Sequence, residues 1–149
     1  DCLNSNLLYD ELDFKVDSIQ NLLTPEIENH LESWGFSYEN WITEVNRIRA
    51  FLASRRFDMR SYIRSYFGFN TDHLITLTLS DQQAGRIKIN TIVPDKYPFQ
   101  GFYFAEVPIT LKAIPNPGYR FVCWKDGSTS TDKSITVNLT SNNYYTAVF

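Results

Sequence analysis

The sequence predicts an α+β chain in which an N-terminal antiparallel helical bundle precedes a small all-β domain of β-sandwich or β-grasp-like form. Two observations carry that prediction. From residue 7 to residue 67 the apolar residues recur with a helical period, and from Leu74 onward they alternate at period two. A third observation is the turn-rich stretch "GFNTDH" over residues 68–73, where one pattern gives way to the other. The predicted division is a helical domain at 1–69 and a β domain at 70–149, with a hinge near 68–73.

Four helices are expected in the first half. Leu12, Val16, Ile19 and Leu23 fall at i, i+4, i+7 and i+11, which puts them on one helical stripe. In "TPEIENHLESW" Thr24 reads as an N-cap, Pro25 and Glu26 suit a first turn, Ile27, Leu31 and Trp34 repeat the spacing, and Gly35 ends the helix. A third helix opens at Ser37 or Tyr38 with Trp41, Val45, Ile48 and Leu52 on its stripe. The fourth, "FDMRSYIRSYF", turns Met59, Ile63 and Tyr66 or Phe67 inward and stops at Gly68. Short connections make antiparallel neighbours.

The second half reads as strands at 74–80, 85–93, 101–105, 109–114, 119–124, 134–139 and 144–149, separated by turn-forming segments such as "SDQQAG", "NPG", "KDGSTS" and "TSNN". In "SDQQAG" Gly85 is expected to supply a positive φ for a hairpin between the first two strands. Phe67 and Phe69 flank the hinge and predict contact between the halves.

Bulk properties limit the function classes. A hydrophobic content of 43% and an aromatic content of 15% describe an ordered chain. The formal charge of −3 gives no electrostatic footprint for nucleic acid, and Arg47, Arg49, Arg55, Arg56, Arg60 and Arg64 read as solvated helix faces. No run of about 18 apolar residues predicts a membrane-spanning helix. The opening "DCLNSNLLYDEL", without an initiator Met or signal peptide, reads as a processed chain or an excised piece of a longer one. Cys2 and Cys123 make no disulfide framework.

Catalytic machinery is not legible. His30 and His73 lie in different halves and read as helix-surface and linker residues. No zinc, phosphate-loop, calcium-loop or dinucleotide motif occurs, so the expectation is no catalytic residue, no cofactor and no metal. Asp10, Glu11, Asp13 and Asp17 cluster at helical spacings and read as solvated carboxylates. The rings around residues 97–104 offer a stacking platform for sugars or peptides, and Tyr97, Phe99, Phe102 and Tyr103 are the candidate ligand or partner surface. A domain this small also needs rings for its core, and that competing use is expected to claim most aromatics of the β half.

The stretch "GYRFVCW" at 118–124 admits a redox site, a ligand platform or a buried strand. Tyr119, Phe121 and Cys123 share one parity, and Val122 and Trp124 share the other unless a bulge resets the register. With no His or Lys next to it in sequence to lower its pKa, Cys123 is expected to be buried and inert.

Residues 74–149 closely resemble the divergent internalin-B-repeat-like modules of bacterial secreted and surface proteins. The pattern Y-x-x-G-x-x-V-T-L-x-A-x-P-x-x-G-Y-x-F-x-x-W with a closing T-A-x-F is followed in order by Val107 to Ala113, Pro115, Gly118, Tyr119, Phe121, Trp124 and Thr146 to Phe149. Ala105 and Glu106 depart where Gly is common, and Cys123 departs where a small residue is expected. Residues 1–69 resemble the C-terminal helices of the CotH-type, spore-coat-protein-H-like kinases. Leu23, Pro25, Glu26, His30 and Trp34 carry the first part of that likeness, and Trp41, Val45, Ile48, Arg49, Phe51, Arg55 and Arg60 the second. Ser33 stands where that family often has Arg.

The nucleotide- and metal-binding motifs of the kinase family lie upstream of such helices, so the resemblance implies no catalytic residue in this chain. It implies a non-catalytic C-terminal fragment of an exported bacterial protein, whose helices buttress an upstream domain of the same chain. Trp34, Trp41, Ile48 and Phe51 give more apolar helical surface than a unit of this size needs. The β module would be a spacer or surface-interaction unit in an extracytoplasmic location. The alternative is a stand-alone extracellular module that binds a glycan or a cell-surface protein. Neither reading involves nucleic acid.

Overall fold

The computed structural model describes residues 1–141 and 143–149, with Tyr9 described by its backbone alone. The chain divides into two compact units, Cys2–Tyr62 and Asp1 together with Ile63–Phe149. Among the described residues two long helices, α1 (Tyr9–Trp34) and α2 (Tyr38–Phe67), follow a short 3-10 turn at Cys2–Asn4 and precede seven strands. The class is α+β.

Two helices stand where four were expected. Pro25 lies inside α1, and the Thr24 hydroxyl donates to the Gln20 carbonyl at 2.7 Å, so this Thr bonds back along the helix and caps nothing. Pro25 can donate no hydrogen bond to the residue four back, yet that loss does not end the helix. The segment 53–58 has neither Gly nor Pro, and α2 runs straight through it. Termini follow the anticipated chemistry. Gly35 adopts φ 72° and Gly68 φ 69°, the left-handed conformation that closes a helix. Ser37 accepts the Asn40 amide at 3.2 Å as the N-cap of α2.

Arg49 clamps the two helices of the first unit. Its guanidinium donates to Asp13, to Asp17 at 2.6 Å and to Gln20 at 2.9 Å. Arg60, further along α2, donates to Asn4 at 3.3 Å, so the helices run antiparallel. Arg49 is therefore not on a solvated face, and Asp13 and Asp17 are not simply solvated carboxylates. The hydrogen bond to Asp17 is the main cause that raises the Arg49 pKa further above its ordinary value. Among the described residues of this unit Val45 is the only buried apolar side chain.

The second unit is a two-sheet structure. Strands β1 (Asp72–Leu79), β3 (Phe99–Phe104), β5 (Cys123–Asp126) and β7 (Asn143–Val148) form a sheet of order β3-β1-β7-β5. Strands β2 (Gly85–Ile89), β4 (Ile109–Pro115) and β6 (Ser134–Val137) form the other, of order β2-β4-β6. All pairings are antiparallel except β1 with β7. One core lies between the sheets, where Ile75, Leu77 and Ala147 from the first meet Ile87, Leu111 and Ala113 from the second. Alternation explains the burial: in β4, Ile109, Leu111 and Ala113 turn inward while Thr110 and Lys112 stay exposed.

The expected β1–β2 hairpin is not formed, because these strands belong to different sheets. Gly85 opens β2 without a positive φ; its lack of a side chain serves close packing, since a Cβ there would lie 2.6 Å from the Ile114 carbonyl oxygen and from the Phe149 ring. His73 sits in β1 opposite Tyr103 and is not a linker residue.

"GYRFVCW" is also not a regular strand. Pairing begins only at Cys123, and Phe121 and Trp124, three residues apart, both point into the core with ring centroids 5.4 Å apart. Two-residue alternation cannot bury that pair, so an irregular backbone resets the register. Trp124, 1% exposed, donates its indole N–H to the Asp132 carbonyl at 2.9 Å. Cys123 is a free thiol and only half-buried, on the outward side of the sheet.

Candidate interaction surface

The residues singled out around 97–104 have different surroundings. Tyr103 is 7% exposed and belongs to the core. Phe99 packs against the same core from β3. The Tyr97 hydroxyl accepts the Ile87 amide at 2.7 Å and donates to the Ile87 carbonyl at 3.0 Å, so it covers the free side of β2. Burial raises its pKa, against a smaller lowering by the Ile87 hydrogen bond. Phe102 alone among the four is well exposed, at 49%.

Period two explains this split. In β3, Phe99, Gly101 and Tyr103 turn to the core, which puts Gln100, Phe102 and Phe104 on the outer face of the sheet. Leu74 in β1 lies opposite Phe102, and Thr76 lies opposite Gln100 on one side and Tyr144 of β7 on the other. Leu74 and Tyr144 are 38% and 51% exposed, so Phe102, Leu74 and Tyr144 make an apolar row across three adjacent strands. Thr76, beneath Gln100 and Tyr144, keeps only 6% exposure although it faces outward.

The row continues along one edge. Phe104 meets Phe69 at 5.1 Å between ring centroids, and Phe69 stacks on Phe67 at 5.6 Å with planes 17° apart. Toward the other end of the face the chemistry becomes polar: the Thr78 and Thr146 hydroxyls lie 2.6 Å apart, and Thr146 donates to Asp126 at 2.5 Å. Leu74 and Tyr144 were not anticipated as partners of Phe102. Their strand parity was readable, but the adjacency of β1 to both β3 and β7 was not.

Among the described residues no group of three or more His, Cys, Asp and Glu is placed to hold a metal ion. Among the same residues no helix is long and apolar enough to cross a membrane. The Glu106 carboxyl is held below its usual range, chiefly by the Asn70 amide that it accepts at 2.7 Å. Burial alone raises the Tyr145 hydroxyl. Each of these shifts has a structural cause in burial or a local hydrogen bond. In the helical unit an open depression of about 550 Å³ is lined by the apolar Leu31, Phe36 and Trp41 and the polar Asn40, Thr43 and Glu44.

A family model described as a divergent InlB B-repeat domain matches residues 75–149. No curated protein and no solved structure matches the chain.

Proposed function

The chain belongs to the divergent InlB B-repeat domain family through residues 75–149, and on that premise we propose that it is a non-catalytic part of an exported bacterial protein. In this reading the β unit is an extracytoplasmic spacer or surface-interaction module. The helices buttress a kinase-like domain of CotH type in the same polypeptide. The observation that carries the helical half is the surface of Cys2–Tyr62, which leaves Trp34, Phe36, Ile48 and Phe51 exposed while Val45 alone among its described apolar residues is buried. Exposed apolar surface on that scale favours a partner.

The coding sequence preceding Asp1 tests this reading. A kinase-like domain behind an export signal is the expected result, and an unrelated domain or a cytoplasmic start would sink it. Isothermal titration of the chain with Mg²⁺ and ATP should register no heat of binding, and measurable affinity would contradict the non-catalytic assignment.

A second reading is favoured by the outer sheet face. Phe102 and Tyr144 expose rings beside Gln100, a combination that suits stacking on a sugar or packing against an apolar protein surface. Glycan-array binding lost on Phe102→Ala and Tyr144→Ala, with an unchanged melting temperature, would establish the glycan form of this reading. Binding retained in both variants would remove it.

A further inference from the structure

The sheet edges of the β unit are treated unequally. On β2, Ile87 and Ile89 direct their backbone groups away from β4. Tyr97 takes both groups of Ile87, and Ile89 exchanges hydrogen bonds with Ile92 at 2.9 and 3.0 Å. On β5 the Trp124 amide is taken by the Ser130 carbonyl at 2.9 Å. β2 is thereby closed to a further strand, and β5 is blocked at Trp124.

Among the described residues strand β6 has no such cover. The bond from the Ala113 amide to the Lys133 carbonyl, 2.8 Å, sets the phase of its ladder with β4. In that phase Ile135 and Val137 are the residues bonded to Leu111 and Ile109, so Ser134 and Thr136 point their N–H and C=O groups away from the sheet. Both residues are exposed, and among the described residues nothing accepts or donates to those groups. Strand β6 is short, at 4 residues, but the segment 134–138 has no Pro and no charged side chain to blunt its edge.

We propose that β6 docks on the β6 edge of a second copy of this chain, antiparallel and about a two-fold axis. The bonding residues set the register: Ser134 of each copy faces Thr136 of the other, and Ile135 faces its own counterpart as the close, non-bonded pair. Continuing outward, Lys133 faces Val137 and Asp132 faces Asn138, so no like charges oppose one another. Every copy of this chain carries the same edge, already extended and in the register its outward groups require, and about a two-fold axis that edge is complementary to itself. The contact is one short strand wide, which makes the association weak and concentration-dependent.

Residue-resolved amide exchange on the whole chain, at about 20 µM and about 1 mM, tests this by mass action. The Ser134 and Thr136 amides should exchange about fivefold more slowly at the higher concentration, with sedimentation equilibrium registering dimer. Thr136→Pro removes one outward amide without touching the ladder to β4, and Ser134→Pro removes the other. Each should abolish the concentration-dependent protection of the remaining outward amide and leave the melting temperature unchanged. Exchange that ignores concentration overturns the proposal. A mass increase without protection of these two amides, as association through the apolar helices would give, also overturns it. So does protection by an unrelated extended peptide in the absence of self-association.

Discussion

The two units handle their apolar residues in opposite ways. In the β unit Ile75, Leu77, Ile87, Ile89 and Leu111 are fully buried between two sheets, with Trp124 beside them. In the helical unit Trp34, Phe51, Phe57 and Tyr62 stay exposed, and Val45 is buried beside a polar clamp centred on Arg49. Two facing sheets close a core because each supplies one continuous apolar face. Two helices share only one stripe of contact, and rings elsewhere on their circumference stay in solvent. The difference teaches where apolar surface is withdrawn from water and where it is left exposed.

Truncating one ring in each unit gives the largest contrast. Trp124→Ala should cost about 3–5 kcal/mol and abolish the cooperative transition of the β unit in urea. Trp34→Ala should stay within about 0.5 kcal/mol. Equal losses would break the comparison.

A methyl group added at glycine gives the next effect. Gly85→Ala drives its Cβ onto the Ile114 carbonyl and the Phe149 ring, with an expected cost of about 1–3 kcal/mol. Gly35→Ala meets nothing within 4 Å and bears only the left-handed backbone penalty, about 1 kcal/mol. Thermal melts of both variants separate steric from conformational strain.

Tyr97→Phe should destabilise the β unit by about 1 kcal/mol and speed exchange of the Ile87 amide. The pH dependence has a definite sign. The folded-state pKa of Tyr97 is raised, so its contribution is fully present below the unfolded value of about 10 and is lost as pH rises through the folded value. Glu106 is the smaller counterpart: its folded pKa is lowered, so its contribution is present above about pH 4.3 and lost as pH falls through the folded value. Glu106→Gln should flatten that acid limb in a pH-scanned melt.

Arg49→Gln gives the mildest and most local change. It removes the link from α2 to Asp13 and Asp17, so amides of the helical unit should exchange faster while those of β1 and β7 do not change. High salt should reproduce part of the effect.

Much of this architecture was legible in local pattern. Ends of helices at Gly35 and Gly68, the opening of α2 at Ser37 or Tyr38 and the inward parity of β4 all depend on neighbours a few residues away. What failed locally was continuity: Pro25 and the Ser54–Asp58 stretch interrupt a pattern on paper without interrupting a helix. The candidate surface was less legible. Parity separates Phe102 from Tyr103, yet only the placement of β1 between β3 and β7 brings Leu74 and Tyr144 to Phe102's face.

By itself the sequence determined the helical and strand periods, the turn residues and the apolar positions that must be hidden somewhere, because these follow from φ/ψ preference and side-chain spacing along a few residues. Tertiary structure alone decided that β1 and β2 part into different sheets, that Phe121 and Trp124 share the core across a broken register, and that β6 keeps a bare edge. Those outcomes depend on contacts between residues far apart in the chain, where burying surface and satisfying backbone hydrogen bonds are settled jointly.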